Sequence, residues 1–131
     1  MGFSQTAGID YGEIFSPTLR LESLRLLLTI MASKGWVGRQ VDFKTAFLNG
    51  KLDETIYMSQ APGFVDPDRA THVYKLKRAI YGLKQAPRQW NKELHACLVR
   101  LGMSQSKHDP SLYYKLVGGK LVGALSAHVD D

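Results

Sequence analysis

Three carboxylates stand where apolar runs give out. A short run beginning at Trp36 delivers Asp42 within Gln40-Val41-Asp42-Phe43-Lys44-Thr45-Ala46-Phe47-Leu48, and a second, Leu121 to Val129, delivers the adjacent pair Asp130-Asp131. One carboxylate at one strand end and a pair at another could hold two divalent cations for phosphoryl transfer. Each hard cation takes oxygen ligands, and two ions about 3.5–4 Å apart clamp both the attacking and the leaving oxygen. Other chemistry fits the same residues. Asp42 could cap a helical turn over Lys44-Thr45-Ala46-Phe47, and Asp130-Asp131 could form a solvated turn. Adjacent carboxylates repel, so an apolar strand ending in two of them implies either a cation or a turn. Only a shared fold could bring Asp42 to Asp130.

Between the carboxylates lies a basic and aromatic band of Tyr74, Lys75, Lys77, Arg78, Tyr81, Lys84, Arg88 and Trp90. Cations that meet phosphates, interleaved with rings that meet bases or sugars, are the chemistry of nucleic-acid contact. The same residues also read as a solvated face plus core aromatics, and Trp90 belongs to the core on spacing. His72, His95 and His108 have no partner at metal-ligand spacing and read as surface or packing residues.

Those residues must be positioned by one domain, since 131 residues suffice for a single core and not for two. Hydrophobic content of 44% and charged content of 22% are ordinary for a globular protein. The net charge of +5 favours polyanionic partners. Cys97 is the only cysteine, which excludes an internal disulfide and a thiolate zinc site and fits a reducing compartment. No segment approaches the ~18 apolar residues of a membrane span, and the N-terminus lacks a secretory pattern. The expectation is an intracellular protein, not secreted and not bound to membrane.

The elements follow from periodicity. Leu21, Leu24, Leu28 and Met31, widened by Leu26, Leu27 and Ile30, predict a mostly buried helix from Leu21 to Lys34, stopped by Gly35. Trp36 to Asp42 predicts a strand, Asn49-Gly50 a turn, and Thr55 to Ser59 a short strand. His72 to Lys77 alternates as a half-buried strand with a basic outer face. Pro87 suits the first turn of a helix running to Leu101, with Trp90, Leu94, Cys97, Leu98 and Leu101 as its buried stripe. Leu112–Val117 and Lys120–Val129 flank Gly118-Gly119, a two-residue hairpin signal. Segregated helices and antiparallel strands give an α+β class.

The motifs themselves resemble the reverse transcriptase of copia-type LTR retrotransposons, nearly end to end. The resemblance rests on Phe15-Ser16-Pro17, the segment Gln40 to Gly50, Ile56-Tyr57-Met58, and Val73-Tyr74-Lys75-Leu76-Lys77. It continues in Tyr81-Gly82-Leu83-Lys84-Gln85-Ala86-Pro87-Arg88-Gln89-Trp90 and the terminal His128-Val129-Asp130-Asp131. It implies a single partial reverse transcriptase domain over residues 1–131, part of the fingers and most of the palm of a right-hand polymerase. Asp42, Asp130 and Asp131 would then be the catalytic ligands of two Mg²⁺ or Mn²⁺ ions. Phe43, Lys44, Phe47, Tyr81, Gly82 and Lys84 would bind the incoming nucleotide, with Phe47 as the gate against a ribose 2′-hydroxyl. Lys75, Lys77, Arg78, Arg88 and His128 would meet nucleic acid.

The partners so implied are a dNTP, a primed RNA or DNA template, and the thumb, ribonuclease H and integrase parts of a Pol polyprotein. The compartment would be the cytoplasm, in a virus-like particle, or the nucleus. The sequence departs from the family at His128, where the family has tyrosine. A basic fingers stretch before Gly2 and the return strand, primer grip and thumb after Asp131 do not occur in it, so the isolated chain is expected not to be a competent polymerase. The alternative is a non-catalytic nucleic-acid-binding remnant or a degenerate element fragment.

Overall fold

A computed structural model describes residues 2–129 and bears out the α+β class. The chain runs through helix α1 (Leu21–Lys34), strands β1 (Tyr57–Ser59) and β2 (Val73–Lys75), helix α2 (Ala86–Arg100), then β3 (Ser104–Gln105), β4 (Leu112–Val117) and β5 (Lys120–Ser126). Strands β1 and β2 pair as an antiparallel ribbon, and β3-β4-β5 form a separate antiparallel sheet. The Gly118-Gly119 turn joins β4 to β5 as the sequence predicts, with both glycines at left-handed φ (56° and 76°). A type I′ turn demands that conformation at both central residues, and glycine alone adopts it without steric cost.

The core is built on the inner face of α2. Ala86, Trp90, Leu94 and Leu98 recur every fourth residue and pack with Ala46, Phe47, Ala79, Tyr113 and Ala127. The helix begins at Ala86 with Pro87 in its first turn, where a missing N–H costs nothing. Two members of the expected stripe are corrected: Cys97 is exposed, and Leu101 is 60% exposed. Their angular positions on the helix are right, but burial also needs an opposing surface. Tyr113 and Met103 supply one for the Leu94–Leu98 side, and among the described residues Cys97 and Leu101 gain no such cover.

Helix α1 closes as expected. Gly35 takes a left-handed φ of 61°, and the Trp36 N–H reaches the Met31 carbonyl at 2.9 Å. Its expected burial is overturned, since none of its residues is buried and Leu21, Leu26 and Leu28 are about half exposed. Leu24, Leu27, Leu28 and Met31 instead line a cavity of about 810 Å³, whose opposite walls are residues 36–41 and 124–128.

The strand expected at Trp36–Asp42 is likewise absent. A strand exists only by pairing, and this segment walls the cavity without a ladder partner among the described residues. The β2 strand exists, but the half-burial expected of it does not: Val73, Tyr74 and Lys75 are all exposed. A two-stranded ribbon shields neither of its faces.

Candidate functional site

The site is organised by Trp90, which α2 presents from its buried face at 5% exposure. The Phe43 ring lies tilted against this indole, centroids 5.0 Å apart. The same indole's Nε1–H donates to the Val129 carbonyl at 2.8 Å. Phe43 follows Asp42, and Val129 precedes Asp130. Two segments 86 residues apart in the sequence therefore meet on one side chain. Asp42 itself is exposed and makes no hydrogen bond or ion pair with the described residues. It is not a helix cap, because the 3₁₀ turn Ala46–Asn49 starts from Thr45 and has no side-chain cap. Asp130 and Asp131 lie outside the described residues. Val129 sits at φ 58°, a left-handed conformation that costs a β-branched residue about 1–3 kcal/mol.

A second aromatic contact joins two further predicted residues. The Phe47 and Tyr81 rings lie 4.5 Å apart, Phe47 buried and Tyr81 half exposed. Gly82 follows at φ 93° and turns the loop towards α2. Its carbonyl oxygen lies only 1.6 Å from where a Cβ on Gly2 would stand, so the N-terminal turn closes on this loop with backbone against backbone.

Sequence reasoning missed the amide that locks this closure. Gln85 is fully buried; its side chain donates to the Asp10 carbonyl at 2.9 Å and accepts from the Gln5 side chain at 3.0 Å. Gln5 Oε1 in turn accepts from the Lys84 backbone N–H at 2.9 Å. No local signal marks Gln85, because its partners lie at the other end of the chain.

The basic residues divide by exposure. Lys44, Lys75 and Lys77 are exposed. Arg78 donates to the Asn49 carbonyl at 2.9 Å. Lys84 donates from Nζ to the Gln5 carbonyl at 3.2 Å and to the Tyr11 hydroxyl at 3.3 Å, and its ammonium lies over the Tyr11 ring. Arg88 pairs with Glu13 and reaches the Phe15 carbonyl. Lys84 and Arg88 thus hold the N-terminal segment, while His128 is exposed and shares the cavity wall with Phe43 and Gln40.

Among the described residues, no three His, Cys, Asp or Glu side chains converge as a metal site. The donor chemistry at Asp42 nonetheless suits a hard cation: an exposed carboxylate without an internal partner keeps its oxygen lone pairs for a ligand. By contrast Asp53 is committed, since hydrogen bonds from Lys92 and Gln89 hold its carboxyl below the ordinary carboxylate value.

A family model described as reverse transcriptase (RNA-dependent DNA polymerase) matches residues 1–131. The chain is 45% identical over 130 residues to the retrovirus-related Pol polyproteins from transposons RE1 and RE2 of Arabidopsis thaliana. It is 41% identical over 130 residues to that from transposon TNT 1-94 of Nicotiana tabacum. Each alignment covers 99% of this chain but only 9–10% of the relative. No solved structure matches the chain significantly.

Proposed function

Since the chain belongs to the reverse transcriptase (RNA-dependent DNA polymerase) family, we propose that it carries the nucleotide-addition centre of a retrotransposon's RNA-directed DNA polymerase. The described α+β unit would be part of the fingers and most of the palm. One observation supports this above the others: the Trp90 indole touches both the segment that bears Asp42 and the segment that leads to Asp130. Asp42, Asp130 and Asp131 would hold two Mg²⁺ or Mn²⁺ ions, which when bound supply the positive charge that favours an ionised primer hydroxyl and a pyrophosphate leaving group.

The chain's own residues shape the rest of the reaction. Phe47, buried and braced by Tyr81, presents a fixed ring suited to excluding a ribose 2′-hydroxyl and so to selecting a deoxynucleotide. The loop at Tyr81 and Gly82 and the exposed Lys44 would meet the nucleotide's base and phosphates. Lys75, Lys77 and Arg78 would follow the template–primer backbone, and His128 would stand beside the primer end. Lys84 and Arg88 would serve by fixing the N-terminal segment against the loop. The substrates are a dNTP and a primed RNA or DNA template, and the partners are the remaining parts of a Pol polyprotein.

The test is deoxynucleoside triphosphate binding to the purified chain with and without Mg²⁺ or Mn²⁺, beside Asp42→Asn. Asp42 is exposed and outside the core, so the substitution should leave the unfolding free energy within about 0.5 kcal/mol of wild type. Binding should require the metal and disappear in the variant. Binding indifferent to both would overturn the assignment in favour of a metal-independent nucleic-acid contact, which salt weakens steeply.

A further inference from the structure

We propose that Tyr57 is a stacking residue for single-stranded nucleic acid on the outer face of the β1–β2 ribbon, with Lys75 and Lys77 taking the neighbouring phosphates. The inference rests on the reading above and names the unpaired template strand as what the ribbon holds. Ile56-Tyr57-Met58 is a stretch of the family likeness to which the proposed centre gives no task.

Register decides which side chains share a face. Tyr57 pairs with Lys75 and Ser59 with Val73. Residues directly opposite on antiparallel strands point the same way, their Cβ atoms about 5 Å apart. All four are exposed. The alternate side is the more covered one, since Ile56 is buried and Met58 and Leu76 are half-buried.

Both kinds of group on the outer face are uncommitted. The Tyr57 ring is 63% exposed, and among the described residues no other ring packs on it. Lysines lie over rings elsewhere, Lys34 over Trp36 and Lys84 over Tyr11, but Lys75 does not lie over the ring directly opposite it. Among the described residues Lys75 and Lys77 pair with no carboxylate, and the ribbon itself carries none. An exposed ring alone means little. A ring face with an unpaired ammonium across the ladder fits a nucleotide, whose base stacks and whose phosphate meets the cation. In a duplex the base faces are already stacked on one another, so the strand that fits is single. A protein partner fits worse, because lysine is depleted from protein interfaces.

The experiment measures fluorescence anisotropy of a labelled oligodeoxythymidine, and of a labelled duplex, against the full chain in EDTA. Without a divalent cation it makes no use of the carboxylates, so its outcome is separable from that of the metal test. Tyr57→Ala should weaken single-strand binding about fivefold to a hundredfold and leave duplex binding unchanged. Tyr57→Phe keeps the ring and should stay near wild type. Lys75→Gln should lower the single-strand salt slope by about 0.7. Both positions are exposed, so each variant should unfold at the wild-type denaturant midpoint.

Wild-type single-strand affinity in Tyr57→Ala overturns the inference and leaves the metal reading standing. An equal loss for single strand and duplex also overturns it, since a charged surface without stacking gives that result. A wild-type chain that binds no oligonucleotide but forms a dimer lost in Tyr57→Ala overturns it in favour of a protein contact. Ring-dependent single-strand binding in a chain without metal-dependent dNTP binding upholds the stacking contact and overturns the metal reading alone.

Discussion

At the scale of single residues, Gly50 shows how a correct reading can rest on the wrong cause. Asn49-Gly50 reads as a turn on the conformational freedom of glycine, and a turn is there. Yet Gly50 has an ordinary φ of −68°, so that freedom is not in use. A Cβ at this position would stand 2.9 Å from the Trp90 nitrogen and 3.0 Å from the Gln89 carbonyl carbon. Those are backbone atoms of α2 that cannot swing aside. The glycine is required by close approach, which no single-residue preference reports. Gly50→Ala should therefore destabilise the chain by about 1–3 kcal/mol, read as a lower denaturant midpoint with an unchanged slope. It should also disturb the Trp90 contacts, because the displaced helix turn is the one that carries the indole.

At the scale of elements, helix α1 poses the question of what secures a helix with no buried residue. The answer is electrostatic and sits at its N-terminus. Asp109 is 3% exposed and accepts from the Arg20 backbone N–H at 3.4 Å and from the Ser111 N–H and hydroxyl. Burial pushes its carboxyl up, but hydrogen bonds from Ser111, Ser23 and the two backbone N–H groups outweigh this and bring it down to about 2.

The unfolded chain then binds more protons than the folded one between the ordinary 3.8 and about 2, so stability rises with pH across that window. The contribution, about 2 kcal/mol, is fully present above pH ~4 and is lost as pH falls towards 2. Asp109→Asn should cost about 1–3 kcal/mol at neutral pH and flatten the acid side of the stability profile. Hydrogen exchange should show the α1 amides opening first in this variant. Local periodicity made α1 legible, but its anchor was not, because Asp109 and Arg20 lie far apart in the sequence.

At the scale of the whole molecule, legibility follows how local each cause is. The two helices, the Gly35 stop and the Gly118-Gly119 hairpin depend on residues within a few positions of each other, and they formed as read. The strand at Trp36–Asp42 and the burial of α1 and β2 depend on distant surfaces, and those expectations failed. For the candidate site, residue types and order were enough to point to the family. What joins the pieces, the Trp90 bridge and the Gln85 amide lock, consists of contacts between distant segments and became visible only in three dimensions.

The exposed Cys97 has a practical meaning outside the chemistry of nucleotides. It is the chain's only sulfhydryl, and it is exposed on α2, two turns along the helix from Trp90. Left in air, two molecules should couple through it, giving a dimer band on a non-reducing gel that dithiothreitol abolishes and Cys97→Ser never forms. Under reducing conditions the same sulfur offers one maleimide-reactive handle per molecule, a ready-made point for a fluorophore or for tethering to a surface.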